Sequence, residues 1–116
     1  MPRHHILLVP GFFGFGSLGE LAYFAGVRQL LETCFERAGT PVSITEVATL
    51  PTASIRVRAA LVRDALAKIV ESGDGPIHIV GHSTGGLDAR LAIAPTASLP
   101  ARFEFDAYDR VRTLVT

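Results

Sequence analysis

Residues 76–90 read Pro-Ile-His-Ile-Val-Gly-His-Ser-Thr-Gly-Gly-Leu-Asp-Ala-Arg, and the fold of the chain follows from this segment. The apolar run at 76–80 predicts a buried strand, and the pattern at 86–94 predicts a helix. The five residues between them, Gly-His-Ser-Thr-Gly at 81–85, must therefore turn the chain sharply from strand to helix.

Two interpretations fit this turn. In the first, Gly81 and Gly85 are bare because strand and helix approach closely, and a strained backbone lifts Ser83 above the carboxyl edge of the sheet as a nucleophile elbow. In the second, the glycines simply turn the chain, and Ser83 or Thr84 caps the following helix. The motif alone does not choose between them, so the rest of the chain must.

Composition limits the class of protein. The chain has 116 residues, 48% of them hydrophobic, and a formal net charge of +0. These values predict a single globular domain over 1–116, and they give no reason to expect a nucleic acid partner. No apolar stretch is long enough to span a membrane. We expect no intrachain disulfide, because Cys34 is the single cysteine, and its place on a helical stripe predicts a small buried hydrophobe.

The amino end superficially resembles a signal peptide. Pro10 and Gly11 interrupt its apolar run early, and no small-residue cleavage site follows at the right distance. We therefore predict a buried strand there, which favours a cytoplasmic location.

Periodicity divides the chain into alternating strands and helices. Strands are predicted at 5–10, 42–47, 76–80 and 111–116, helices at 23–38, 53–71 and 86–94, and an irregular connection at 95–110. The second helix has an apolar stripe, with Arg56, Arg63 and Lys68 mostly off it. The stripe consists of Ile55, Ala59, Val62, Leu66 and Ile69. Alternation of this kind predicts an α/β fold: a parallel sheet of about four strands in the order 2-1-3-4, with helices on both faces.

That strand order brings two glycine-rich loops together. The loop after the first strand, Pro-Gly-Phe-Phe-Gly-Phe-Gly at 10–16, would lie beside the turn at 81–85. Open α/β sheets bind ligands at such a switch point. In a serine acyl-transfer site, a loop there supplies one oxyanion donor and the residue after the nucleophile supplies the other. The alternative is a glycine-rich loop whose aromatic residues belong to the core.

Residues 7–15, 23–27 and 77–87 together resemble the bacterial triacylglycerol lipase and esterase family of the α/β-hydrolase fold. The resemblance covers nearly the whole chain but only the amino-terminal portion of such an enzyme. It implies a carboxylic-ester hydrolase in which Ser83 is the nucleophile and the amides of Phe12 and Thr84 hold the oxyanion. An ester or lipid is then the substrate, and no cofactor is needed. Family members often carry a structural calcium, but its ligands would lie beyond Thr116, and no metal site is predicted here.

Further residues are assigned around this implied site. Phe13 and Phe15 fit an apolar acyl chain, and Arg56 matches an arginine that braces the oxyanion loop in such lipases. A solvated charge on the helix surface is an equal interpretation of Arg56. The residues expected to support the turn and its loop are Gly11, Gly81, His82 and Gly85.

The general base is missing from the sequence. In this fold the acid and the histidine follow the serine, yet no histidine follows Ser83. His82 directly precedes Ser83, so its ring should point elsewhere and pack under the turn, while His78 lies below the turn on its strand. His4 and His5 fall at the far end of the first strand. We therefore expect an amino-terminal portion truncated after the fourth strand, with little or no esterase turnover alone and a fourth strand exposed to self-association.

Two other functions remain open. A non-catalytic α/β binding or interaction module could use amides at the helix amino terminus to grip an anion. Another serine acyl enzyme, a thioesterase or an acyltransferase, would share every residue named above.

Overall fold

The computed structural model describes residues 2–11, 18–48, 50 and 52–116. Its regular elements, in chain order, are β1 (His4–Val9), α1 (Leu18–Ala38), β2 (Val42–Glu46), α2 (Ile55–Ser72), β3 (Ile77–Gly81), α3 (Thr84–Ala92) and β4 (Val111–Val115), with a 3-10 turn at Tyr108–Arg110 before β4. The predicted succession of elements is confirmed. Two helices begin earlier than expected, α1 at Leu18 and α3 at Thr84, because a glycine costs little in a first turn whose N–H groups have no intrahelical acceptor.

The four strands form one parallel sheet in the order β2-β1-β3-β4, as predicted. The aliphatic run of β1 is buried from His5 to Val9, because β1 lies inside the sheet and is covered on both faces. The outer strands of the sheet are β2, whose sequence alternates between apolar and polar residues, and β4.

Helices pack on both faces of the sheet, which is also as predicted. Ile6 and Leu8 of β1 face α1 and contact Phe24, the most buried aromatic residue of that helix. Leu7 and Val9 point the other way into the larger cluster under α2 and α3. Alternation along one strand therefore divides the core into two layers.

Three expectations about burial are wrong. Cys34 is exposed, since α1 buries a narrower stripe through Phe24, Val27, Leu31 and Phe35 at the edge of the sheet. Ile55 is 40% exposed, because the first turn of α2 extends past the core. Arg63, placed off the apolar stripe, is only 8% exposed.

Arg63 and Asp64 explain how the long connection after α3 is held. The Arg63 guanidinium donates to the carbonyl oxygens of Ala92 at 2.9 Å, Ala94 at 2.9 Å and Ala97 at 3.1 Å. The Asp64 carboxylate accepts from the backbone N–H groups of Arg102 at 2.9 Å and of Phe103 at 3.0 Å. Two adjacent charged residues of α2 thus hold five backbone groups, at the end of α3 and in the connection after it, through hydrogen bonds.

Candidate active site

Ser83 has an unusual backbone conformation for a residue with a side chain. Its φ is 56° and its ψ is −127°, and among the described residues no other non-glycine has a positive φ. The side chain is exposed and makes no capping hydrogen bond to α3. A strained residue costs about 1–3 kcal/mol, so it persists only where its surroundings enforce it. Ser83 occupies the N-cap position of α3, but its side chain makes no capping hydrogen bond there.

The surrounding glycines show what enforces this conformation. A Cβ atom at Gly81 would lie 2.7 Å from the Cα of Gly86, and one at Gly85 would lie 2.4 Å from the carbonyl oxygens of Val9 and Pro10. Real Cβ atoms do not approach other atoms so closely, and the obstacles are backbone atoms that have little room to move. Only glycine at these positions lets β3, α3 and the end of β1 meet around Ser83.

We expect Ser83→Gly to raise the free energy of unfolding by about 1 kcal/mol. Glycine relieves the cost of the positive φ, and its greater entropy in the unfolded chain cancels part of that gain. Urea unfolding at neutral pH measures the change, and Ser83→Ala is the control because alanine loses the hydroxyl but keeps the strain. Equal stability of the two variants would show that the backbone at residue 83 is not strained.

The end of β1 lies directly beside this turn. Val9 pairs with Gly81 in the parallel register, and the N–H of His82 donates to the Val9 carbonyl at 3.1 Å. Gly11 is buried next to them. The residues assigned to the oxyanion and acyl sites after Gly11, namely Phe12, Phe13 and Phe15, lie outside the described residues.

Thr84 begins α3, and its side-chain oxygen Oγ1 is buried without a hydrogen bond to any described group. The next two N–H groups of the helix donate backward, from Gly85 to the His82 carbonyl at 2.9 Å and from Gly86 to the Ser83 carbonyl at 3.0 Å. Within the described ranges the N–H of Thr84 has no such acceptor. Neither Ser83 nor Thr84 therefore caps this helix with its side chain through a described group.

His82 packs against α1. Its ring centroid lies 4.4 Å from that of Tyr23, with 31° between the planes, and 6.2 Å from that of Phe24 in an edge-on arrangement. These contacts connect the residue before Ser83 to α1, on the face of the sheet opposite to α3. The role of His82 in supporting the turn stays a prediction.

The other three histidines lie toward the amino ends of the strands. His4 Nδ1 and His78 Nε2 are 2.9 Å apart, and His5 Nε2 is 3.0 Å from the Asp74 carbonyl oxygen. None of these three rings is paired with Ser83 in the part of the chain that the structure describes.

Arg56, the predicted brace, is exposed and donates to the Ser98 carbonyl at 2.7 Å. A different arginine of α2 contacts α3. Arg58 Nε lies 2.9 Å from Oδ2 and 3.2 Å from Oδ1 of Asp88, and the same guanidinium also donates to the Ala53 carbonyl. Asp88 lies one turn after Thr84 and is 1% exposed.

The ion pair between Arg58 and Asp88 was not predicted, although the sequence of α3 carries a signal for it. Gly85, Asp88, Ala89 and Ala92 lie on the buried stripe of α3, and Asp88 is its one charged member. A carboxylate on such a stripe needs a partner. Burial raises the pKa of Asp88, and the hydrogen bonds and charge of Arg58 partly offset that rise.

Neither a group of metal ligands nor a membrane-spanning helix is found among the described residues. Across residues 2–11, 18–48, 50 and 52–116 no three His, Cys, Asp or Glu side chains are grouped so that they could hold a metal. No described helix combines the length and hydrophobicity that crossing a membrane requires.

Comparison with known proteins shows a similarity to a lipase. No protein-family model matches the chain, and no solved structure matches it. The chain is similar to a triacylglycerol lipase of Pseudomonas fragi, with 34% identity over 100 residues. The match covers 80% of this chain but 31% of the lipase, so the chain spans less than a third of that relative's length.

Proposed function

We propose that this chain carries the nucleophile and the oxyanion amides of a serine carboxylic-ester hydrolase of the lipase type. The observation that carries the proposal is the backbone of Ser83, an exposed residue with a positive φ just after β3, at the carboxyl edge of the sheet. The similarity to a triacylglycerol lipase supports the choice of an ester as substrate.

The proposed chemistry uses two steps. The Ser83 Oγ forms a bond to the ester carbonyl carbon, and the bond to the alcohol oxygen breaks as the alcohol leaves with the proton from Ser83. Water then attacks the acyl-serine, which releases the carboxylic acid and restores the hydroxyl. The amides of Thr84 and Phe12 would hold the negative oxygen in both steps. The described end of β1 beside the turn supports this role for the loop that follows it.

No histidine of this chain is assigned the role of general base. Three of the four histidines have other partners away from Ser83, and the ring of His82 packs on Tyr23. We therefore propose that the 116-residue chain turns over esters slowly. Oxyanion donors and binding alone still leave about a thousandfold acceleration over water when triad members are removed, so slow turnover is compatible with the site.

A fluorophosphonate probe tests the nucleophile, and added imidazole tests the missing base. We expect mass spectrometry to find the adduct on Ser83 and not on Ser54 or Ser98, two other exposed serines of the same chain. After the hydrolysis by imidazole alone is subtracted, imidazole should speed both labelling and p-nitrophenyl ester turnover in the wild type and have no further effect with Ser83→Ala. A matched panel of thioesters would separate an esterase from a thioesterase.

Two results would contradict the proposal. Equal labelling of the three serines would mean that residue 83 is not activated by its setting. Turnover comparable to an intact lipase without imidazole, lost in Ser83→Ala, would show that these residues already contain a base.

A further inference from the structure

Three side chains form a row of hydrogen bonds across the amino-terminal edge of the sheet. His4 of β1 lies 2.9 Å from His78 of β3 through Nδ1 and Nε2, and His78 Nδ1 lies 2.9 Å from the Thr113 hydroxyl of β4. The two imidazole planes differ by 7°, and the His4 ring also contacts Phe35 of α1. We call His4, His78 and Thr113 the histidine bridge.

The surroundings of the bridge are rich in positive charge. An open cavity of about 530 Å³ is lined by both histidines together with Asp74, Arg110 and Arg112. Asp74 is the one carboxylate among these lining residues, and the contact from α1 is uncharged. Burial and then the charge of His4 lower the pKa of His78. The neutral form of the His78 ring is therefore favoured in the folded chain.

Hydrogen bonding limits how many protons the bridge can hold. The contact between the two rings needs one nitrogen to accept, so it persists while at least one imidazole is neutral. When both rings are protonated, an N–H faces an N–H and two like charges lie side by side. The rings must then separate, and the strands lose a link beyond their backbone hydrogen bonds.

The histidine bridge extends to β4, one of the two outer strands of the sheet. β4 is an edge strand with a register irregularity where it meets Ile77 and His78. Arg110 ties its start to the Gly75 carbonyl at 2.9 Å. The histidine bridge adds a second side-chain link near the start of β4, here between β3 and β4, and through His4 it also links β3 to the start of β1.

We propose that the histidine bridge is a pH-sensitive link that closes the amino-terminal edge of the sheet at neutral pH and opens on acidification. The inference is independent of the ester chemistry at Ser83, which lies at the opposite edge. The lowered pKa of His78 favours its neutral ring in the folded chain, so the stabilisation from this ring is complete above the ordinary histidine pKa and is lost as pH falls below it.

Amide hydrogen exchange at about pH 7.5 and about pH 5, corrected for intrinsic rates, tests the link. We expect the amides of His4, His5 and residues 111–113 to exchange about fivefold faster at the lower pH. The N–H groups of His82 and Val47, which donate to Val9 and Leu8 at the other edge, serve as internal controls and should not change. Equal protection of the amino-terminal edge at both pH values would overturn the proposal.

Two variants isolate the bridge from other histidines. His4→Asn keeps a hydrogen-bonding group near the position of Nδ1 but cannot gain a charge, so the pH effect should disappear. His5→Gln removes a neighbouring histidine outside the bridge, and the pH effect should persist. Loss of the effect in both variants would refute the assignment.

A measurement on the wild type stands even if a variant fails to fold. Nuclear magnetic resonance titration should show the pKa of His78 lowered below the ordinary histidine value, with the resonances of the His4 ring shifting in the same step. Independent titration of both rings at the ordinary histidine value would also overturn the proposal.

Discussion

Gly85→Ala is expected to reduce the free energy of unfolding by about 3 kcal/mol, the upper end of the usual cost of overpacking. The added Cβ would lie 2.4 Å from two carbonyl oxygens, those of Val9 and Pro10. Both oxygens belong to the backbone at the end of the central strand β1, so neither can move without disturbing the sheet. Urea or thermal unfolding monitored by circular dichroism measures the loss.

Gly26→Ala is the matched control for this prediction. Gly26 lies inside α1, and a Cβ there would meet no atom within 4 Å. Alanine should therefore stabilise the helix by about 0.5–1 kcal/mol. If the two variants changed stability in the same direction, the close approach of α3 to β1 around Ser83 would be wrong.

Arg58→Met is expected to cost about 3–5 kcal/mol, because it leaves Asp88 without its countercharge. Methionine retains much of the aliphatic volume, so the loss reports on the ion pair and not on a large cavity. The Asp88 carboxylate is 1% exposed and cannot turn to water instead. Arg56→Met is the control: Arg56 is exposed and makes one hydrogen bond to a carbonyl, so its loss should cost less than about 1 kcal/mol.

The pH dependence of the Arg58→Met deficit gives a second check. Burial already raises the pKa of Asp88, and Arg58 is the group that opposes the rise. In the variant the folded state favours the protonated acid more strongly. The deficit relative to wild type should therefore shrink as pH falls through the acid range. A deficit that is constant with pH, or one that Arg56→Met reproduces, would contradict the proposed role of the ion pair.

Features that depend on local patterns could be predicted from the sequence. The unbroken aliphatic run of β1 indicates burial on both faces, and the turn at 81–85 indicates a strand that leads sharply into a helix. Chain order and crossover handedness then leave few arrangements for the sheet, and 2-1-3-4 is the observed one. The assignments on Phe12, Phe13 and Phe15 remain predictions.

The partners of the charged residues of α2 could not be predicted in this way. Arg56, Arg58 and Arg63 all lie on α2, yet one is exposed, one pairs with Asp88, and one binds three carbonyls of the connection after α3. Burial of a charge depends on partners about 30 residues away along the chain, which helical periodicity does not contain.

At the candidate site too, the sequence predicts the local turn, and the tertiary structure decides which polar groups meet. That Ser83 lies at a tight turn between bare glycines is evident from the order of residues alone. Its φ of 56°, the Asp88–Arg58 pair one turn below, and the bond of His4 to His78 and not to the serine emerge only when the chain is folded. Local sequence sets the backbone preferences of a turn, whereas the pairing of polar groups depends on which strands and helices become neighbours.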